Sequence, residues 1–470
     1  DEWALAAEMP KVSADQKTYT VKLKPGIKWS DGTPITAADV AFTMNTFANP
    51  DVGSPSHSSF AQIKEARAKD ASTVEIELKD VDARFALNAL NAAIAPEKPF
   101  KGLKPEEIGK QAYGTNIKAT ITSGPYVWKE WSEKQYHRLE RDPNYWGKKP
   151  NIQTVVFKIY GEETTAAQAI MQGEIDFFGD APVPQLEAIK NTKGLHVASS
   201  AGPIYDYFSF NFKPENWPDK FVPFTGKKTR QAFGYAMNRK GLVDTVLKGY
   251  GTLLNGPFLE ASWGYTQGTS FNYPYDPAKA KALLAEDGWT AGSDGLLVKD
   301  GHKFEFDLFY RSDNRRRADY AVVIQQNLKD VGIKVNLKPM DFSTLIDNHV
   351  NTGKYQGYMG GWQLALDPDA ESIFSSQFFP EAGQNSGWYK NEKTDKLWID
   401  GYKTADQAKR KAIYADIARE FSDDPPYVFL CQTNYNTVYG DRVHWADADK
   451  PIHALPYGYM FHIFNWWVTK

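Results

Sequence analysis

Two stretches of the chain, each passing from strand-like alternation through a helical stripe and back to alternation, predict an α/β protein divided into two lobes. Length supports the division, since 470 residues exceed the roughly 250–300 at which one hydrophobic core stops growing. A composition of 42% apolar and 24% charged residues is that of a globular chain and excludes a disordered or collagen-like one.

The elements follow in order along the chain. Tyr19, Val21 and Leu23 alternate with Thr18, Thr20 and Lys22, giving a strand with one buried face that Pro25 and Gly26 then turn. Thr36 stands three residues before Asp39 as in a capping box, and Val40, Met44 and Phe47 follow at helical spacing. Val74, Ile76 and Leu78 alternate with Thr73, Glu75 and Glu77 in another half-buried strand. The first of the two diagnostic stretches runs from a strand at Val155, Phe157 and Ile159 through a helix over 164–172, closed by Gly173, to a strand over 175–178. It reads as a β-α-β unit. Between the two stretches, Asp276 caps a helix that starts at Pro277, buries Ala280, Leu283 and Leu284, and stops at Gly288. The segment 256–275, rich in Gly, Pro, Ser and aromatics, reads as a long surface loop. In the second stretch Phe304, Phe306, Leu308 and Tyr310 alternate. Tyr320, Val323, Ile324, Leu328 and Val331 then recur at helical spacing, and Ile333, Val335 and Leu337 alternate again. Arg315, Arg316 and Arg317 stand ahead of that helical stripe and read as a solvated helix start.

Several function classes fall away. With 55 basic against 58 acidic residues and a net charge of −3, the chain lacks a basic footprint, and no nucleic-acid partner is expected. Cys431 is the single cysteine, which rules out an internal disulfide and a cysteine zinc cluster. No run reaches the roughly 18 apolar residues of a membrane span; the most apolar tail, Tyr457 to Val468, is interrupted by His462 and Asn465. The chain opens on Asp1 and Glu2 rather than on Met and an apolar leader, so a signal peptide is expected to have been removed or left out. Phosphate-loop, H-E-x-x-H, C-x-x-C and dinucleotide spacings are absent. The eight histidines, His57, His137, His302 and His462 among them, lack metal-ligand spacing. Asp367 and Asp369 flank Pro368 without the longer acidic loop of a calcium site. No catalytic residue, metal or cofactor is therefore expected.

One polar-aromatic cluster stands out: Tyr355, Tyr358, Gly360, Gly361, Trp362, Asp367 and Asp369, then Gln384, Asn385, Ser386, Trp388 and Tyr389. Glycines admit a close backbone approach, Trp362 offers a flat face, and the amides and hydroxyls offer hydrogen bonds, as a pocket lining requires. The structural alternative is a strand end running into an irregular loop that packs on its own lobe.

Further blocks carry a family resemblance. Trp29-Ser30-Asp31-Gly32-Thr33-Pro34-Ile35-Thr36-Ala37-Ala38-Asp39-Val40, Ser123-Gly124-Pro125-Tyr126, Arg141-Asp142-Pro143-Asn144-Tyr145-Trp146-Gly147, Gly173-Glu174-Ile175-Asp176, Met237-Asn238-Arg239 and Tyr275-Asp276-Pro277 occur in the order found in the family 5 solute-binding proteins. The chain resembles that peptide, nickel and oligosaccharide group over nearly its whole length. The resemblance implies a two-lobed periplasmic-binding-protein-like fold of type II and the large cluster C kind, with a hinge and an extra α+β subdomain. It places the extra subdomain at 1–115, lobe one at 116–215 with 440–470, and lobe two at 216–439. It further implies a stretch before the Leu5 block that contributes a strand to lobe one.

The same resemblance puts Trp362 first among ligand contacts, with Gly361, Tyr358, Asp367, Asn385, Trp388, Tyr389, Tyr205 and Tyr207; His57 and Ser59 of the early region complete the set. Relatives that grip a peptide amine carry Asp three residues after the Trp, where this chain has Ala365, and Asp367 or Asp369 is the substitute it offers. Asn351 and Met359 occupy the region where some relatives hold a peptide carboxylate with basic residues. The implied function is the substrate-binding subunit of an ABC importer, a monomer outside the cytoplasm, at the cell surface or in the periplasm. It would carry an oligopeptide to permease subunits. An oligosaccharide receptor, with Trp362, Trp388, Tyr205 and Tyr207 stacking on sugar rings, is the alternative within the family; a secreted glycoside hydrolase is the alternative outside it.

Overall fold

Apolar alternation and one well-capped helix build the first core. In the computed structural model, which describes residues 4–54, 56–365, 367–380, 382–446 and 463–469, β1 (Lys11–Val12), β2 (Thr18–Lys22), β3 (Ile63–Ala68) and β4 (Thr73–Leu78) form a sheet in the order β1-β2-β4-β3. Helix α1 (Ala37–Ala48) packs Ala37, Val40, Ala41 and Met44 with Tyr19, Val21, Val74 and Ile76 of that sheet. Its start is the one the sequence predicts: the Thr36 N–H donates to Asp39 Oδ2 at 2.9 Å, satisfying a backbone donor that the first helical turn leaves unpaired.

Strands β5 (Tyr126–Ser132), β6 (Tyr136–Arg141) and β7 (Thr154–Lys158) follow as an antiparallel meander, then α2 (Glu163–Met171) and the two-residue β8 (Phe177–Phe178). Here the predicted β-α-β unit fails. β7 pairs with β6, while β8 pairs antiparallel with Val438 and Tyr439 near the other end of the chain. Periodicity identifies a strand without naming its neighbour, and the β5–β6 hairpin offers β7 an edge close in sequence, which is entropically cheap to reach.

The chain divides into two units, Asp1–Ala198 with Asn436–Lys470 and Ser199–Tyr435. The 16-residue β9 (Leu195–Phe210) starts in the first and ends in the second. Within the second lie α3 (Lys227–Ala236), β10 (Gly251–Leu253), α4 (Pro277–Glu286), β11 (Glu305–Arg311), α5 (Arg315–Lys329), β12 (Lys334–Met340), β13 (Gly357–Gln363), α6 (Glu392–Lys403) and α7 (Gln407–Asp423). The long β14 (Tyr427–Gly440) then returns to the first unit, where β15 (Val443–Trp445) pairs with β16 (Trp466–Val468). His462 and the apolar tail up to it lie outside the described residues. Among the described residues no helix is long and apolar enough to cross a membrane.

The large sheet runs β10-β14-β9-β13-β11-β12. β11 is parallel to both β12 and β13, so β11-α5-β12 is the β-α-β unit predicted from the second stretch. Pleating sends Phe208 and Phe210 of β9 into a core with Phe306, Leu308, Tyr320, Ile324 and Phe233, and Tyr205 and Tyr207 into another with Tyr358, Trp398, Tyr414 and Phe421. Such double-sided burial is the habit of parallel sheets covered by helices. The Asp276 cap also forms, its carboxylate accepting from the Lys279 N–H at 2.9 Å. The predicted surface loop 256–275 forms no helix or strand, but it is not confined to the surface: Phe258 and Leu259 are buried in the second core, with the Phe258 ring 5.4 Å from that of Tyr414. Burying these two apolar side chains outweighs the polarity of their neighbours.

Candidate functional site

The three parallel strands end together. Arg311 closes β11, Met340 closes β12 and Gln363 closes β13, and in open α/β sheets it is this carboxyl edge that carries ligands. Trp362 stands there, partly buried against the second core, its ring nearly parallel to that of Tyr207 at 6.2 Å. The antiparallel register sets Trp362 opposite Tyr205, Gly361 opposite Asp206 and Gly360 opposite Tyr207. Trp362, Gly361, Tyr358, Tyr205 and Tyr207 are thus gathered on two adjoining strands.

Their environments separate them. Tyr205 and Tyr207 are 0% and 2% exposed, and Tyr207 stacks on Tyr427 with centroids 4.2 Å apart. No face of either ring is open to a sugar, which corrects their assignment as stacking platforms. Tyr358 is likewise buried, 5.6 Å from Tyr355. The paired glycines also serve the protein itself. A Cβ on Gly360 would lie 2.5 Å from the rings of Tyr207 and Tyr358; on Gly361 it would collide with the Arg317 guanidinium and approach Asp206 Oδ1 to 2.8 Å.

Asp367 is not a free carboxylate. Arg410 Nη1 donates to its Oδ2 at 2.9 Å and Nη2 to its Oδ1 at 2.8 Å, with the Asp367 side chain fully buried. The guanidinium lies 5.0 Å from the Trp263 ring and 5.3 Å from that of Tyr414. Burial pushes the Asp367 carboxyl up, and the hydrogen bonds from Arg410 oppose it. A carboxylate committed in this bidentate way holds loop to helix rather than a peptide amine.

The Asn385 to Tyr389 segment is organised inward as well. Asn385 Nδ2 donates to the carbonyls of Phe374, Ser375 and Tyr389 at 3.2, 3.0 and 2.8 Å, and its Oδ1 accepts from the Tyr389 N–H at 3.1 Å. The Tyr389 hydroxyl donates to the Asp424 carbonyl at 3.0 Å. Trp388 sits at φ +60°, stacked on Phe379 at 4.6 Å with Lys213 Nζ 4.2 Å from its ring. Asn385 and Tyr389 are therefore internal braces, the packed-loop alternative in atomic detail. His57 and Ser59 belong to the first unit, in the short helix His57–Phe60, with His57 Nδ1 3.0 Å from the Phe47 carbonyl.

Arg316 and Arg317, expected in a solvated helix start, occupy the strand edge instead. Asp206, 0% exposed, accepts from Arg316 Nε at 2.7 Å and Arg317 Nε at 3.1 Å. Burial alone pushes this carboxyl up, but the two guanidiniums outweigh it and hold Asp206 below the usual carboxylate range. Arg311 grips Asp313 through Nε and Nη2 at 2.8 and 2.6 Å and lies 4.5 Å from the Phe342 ring. The signal that finds these residues is positional: they fall within six residues of the end of a parallel strand.

Comparison with known proteins places this geometry. The model of the bacterial extracellular solute-binding proteins, family 5, matches residues 2–385. The oligopeptide-binding protein AppA of Bacillus subtilis strain 168 is 31% identical over 456 residues, covering 96% of this chain and 81% of the relative. The structure of B. subtilis AppA in complex with a nonapeptide is similar at a TM-score of 0.88 and 30% identity, over 99% of this chain and 90% of that one. NikZ from Campylobacter jejuni, in complex with Ni(L-His), is similar at a TM-score of 0.86 and 25% identity, over 98% and 90%. The fold is accordingly the two-lobed one of periplasmic binding proteins.

Proposed function

The chain belongs to the bacterial extracellular solute-binding proteins of family 5, and from that premise we propose that it captures an oligopeptide and passes it unaltered to the permease subunits of an ABC importer. The observation that carries this reading is the likeness to AppA along 96% of the chain. Trp362 is the anchor of the site, because it alone among the aromatic candidates of β9 and β13 is not fully buried. An extended peptide is held chiefly through its backbone, with shallow pockets tolerating varied side chains. Asp367 plays no part as an amine clamp, since its oxygens are taken by Arg410.

Capture is a shift of population toward a closed form that the ligand stabilises by its differential affinity. No bond is made or broken, and no catalytic group or cofactor is involved. The protein works as a monomer in the periplasm or at the cell surface. Its extra subdomain is residues 1–115, lobe one 116–215 with 440–470, and lobe two 216–439. The test is native mass spectrometry of the purified protein incubated with a peptide mixture, followed by acid release. Bound species that come off with intact peptide masses support the reading; hexose ladders or cleaved products overturn it.

A further inference from the structure

Arg239, just after α3, is a cation buried in the second unit beside neutral groups alone. It is 4% exposed. Its Nη1 donates to the carbonyls of Leu254 and Phe429 at 3.0 and 2.9 Å and to Asn255 Oδ1 at 3.3 Å, while Nη2 donates to the Tyr273 carbonyl at 2.8 Å and Asn272 Oδ1 at 3.3 Å. Among the described residues Nε has no partner and no carboxylate forms an ion pair with this guanidinium. Burial pushes it down to about 10, which leaves it charged at neutral pH. A buried charge held only by neutral acceptors keeps much of its desolvation cost.

One of those acceptors is chemically labile. Asn255-Gly256 is the only Asn-Gly step in the sequence, and glycine carries no Cβ to shield its amide nitrogen from the preceding side chain. Gly256 is buried, and its N–H makes no hydrogen bond to the described residues. Asn255 is only partly buried, so water reaches it. A guanidinium has donors only, so the amide oxygen is what faces Arg239. A cation there draws electron density from Cγ and stabilises negative charge developing on Oδ1. Nucleophile, polarised carbonyl and charge stabiliser thus meet in two adjoining residues and one arginine.

We propose that Asn255 is a site of spontaneous deamidation, promoted by Arg239 and ending in an aspartate that becomes the counter-ion of Arg239. The Gly256 amide nitrogen loses its proton to solvent and bonds to Asn255 Cγ; the Cγ–Nδ2 bond breaks, and Nδ2 leaves as ammonia with a proton from solvent. A water molecule then adds to Cγ of the cyclic imide, and the bond from Cγ to the Gly256 nitrogen breaks as that nitrogen regains a proton. Water is consumed and ammonia released, with no oxidant or reductant. Arg239 polarises Cγ rather than the backbone carbonyl, so the ring opens to the ordinary main chain instead of the isoaspartyl one. The new carboxylate strengthens a clasp that already joins Leu254 and Asn255 to Asn272 and Tyr273. Between those ends lie Phe258 and Leu259, buried in the second core.

The experiment ages the wild-type protein at pH 8, folded in one sample and unfolded in guanidinium chloride in another. The tryptic peptide 249–279 is then followed by mass, and its isoaspartyl content by enzymatic methylation. The folded protein is expected to convert Asn255 at least as fast as the unfolded chain and almost wholly to aspartate, whereas the unfolded chain yields both products. Asn255→Asp, made directly, is expected to melt about 2 °C or more above freshly purified wild type, as a buried ion pair completed by its missing partner provides. Conversion that is slower in the folded protein than in the unfolded chain overturns the proposal, and so does a mainly isoaspartyl product from the folded sample. A melting temperature of Asn255→Asp at or below that of the wild type removes the counter-ion role.

Discussion

Replacing Arg410 by Met tests whether Asp367 is a brace or a ligand contact. Met keeps the unbranched length of the stem and its packing near Trp263 and Tyr414 but removes both hydrogen bonds to Asp367. The carboxylate, with its side chain 0% exposed, then keeps, among the described residues, the Asp369 N–H at 3.0 Å. Breaking a buried pair from one side costs about 3–5 kcal/mol, because the stranded charge keeps its desolvation penalty and loses its partner. With a urea dependence of about 3 kcal/mol/M, a loss of about 4 kcal/mol moves the unfolding midpoint down by about 1.3 M. Asp367→Leu combined with Arg410→Met removes the stranded charge and recovers most of the loss. The pH dependence has a definite sign. Burial raises the Asp367 carboxyl in the folded protein, and losing the guanidinium raises it further, so the folded variant takes up a proton more readily than the unfolded chain does. The deficit is therefore greatest at neutral pH and shrinks toward the unfolded value of about 4. Urea titrations at pH 7 and pH 4.5, followed by tryptophan fluorescence, measure all of this. A midpoint shift below about 0.3 M for Arg410→Met at pH 7 would show that the pair is hydrated and that Asp367 is available to a ligand after all.

Other perturbations separate the remaining roles. Trp362→Ala is expected to weaken peptide binding by more than about 1 kcal/mol with the fold intact, as befits an anchor; unchanged affinity by calorimetry takes Trp362 out of the site. Gly361→Ala forces a methyl against Arg317 and to 2.8 Å from Asp206 Oδ1, a strain of about 1–3 kcal/mol; a melting temperature equal to the wild type's would mean that Arg317 does not occupy that space. The Cys431 thiol is pushed up to about 12 by burial, with the Tyr320 hydroxyl 3.2 Å away. It should resist alkylation by iodoacetamide at pH 8 in the folded protein and react once the protein is unfolded in urea, and rapid labelling under native conditions would contradict the enclosed position.

Local chemistry was legible wherever neighbours along the chain decide it. Alternation in Tyr19, Val21 and Leu23, the Thr36 and Asp39 capping box and the Asp276 cap all depend on residues a few positions apart, and each forms as the sequence implies; the β-α-β unit from Phe304 to Leu337 forms as well, its two strands meeting across α5. The candidate site was legible only in part. Trp362 and Gly361 carry a recognisable pattern, but nothing in their vicinity reports that Asp367 is spoken for by Arg410, 43 residues on, or that Arg316 and Arg317 fold back over Asp206, 110 and 111 residues away.

Sequence alone therefore determined the element types, the two-lobed α/β class and the family, since composition, period and order of blocks suffice for these. Only the tertiary structure decided which strand pairs with which and which charges neutralise one another. Those outcomes depend on contacts between distant segments, where desolvation makes a buried carboxylate take whichever guanidinium the fold delivers to it.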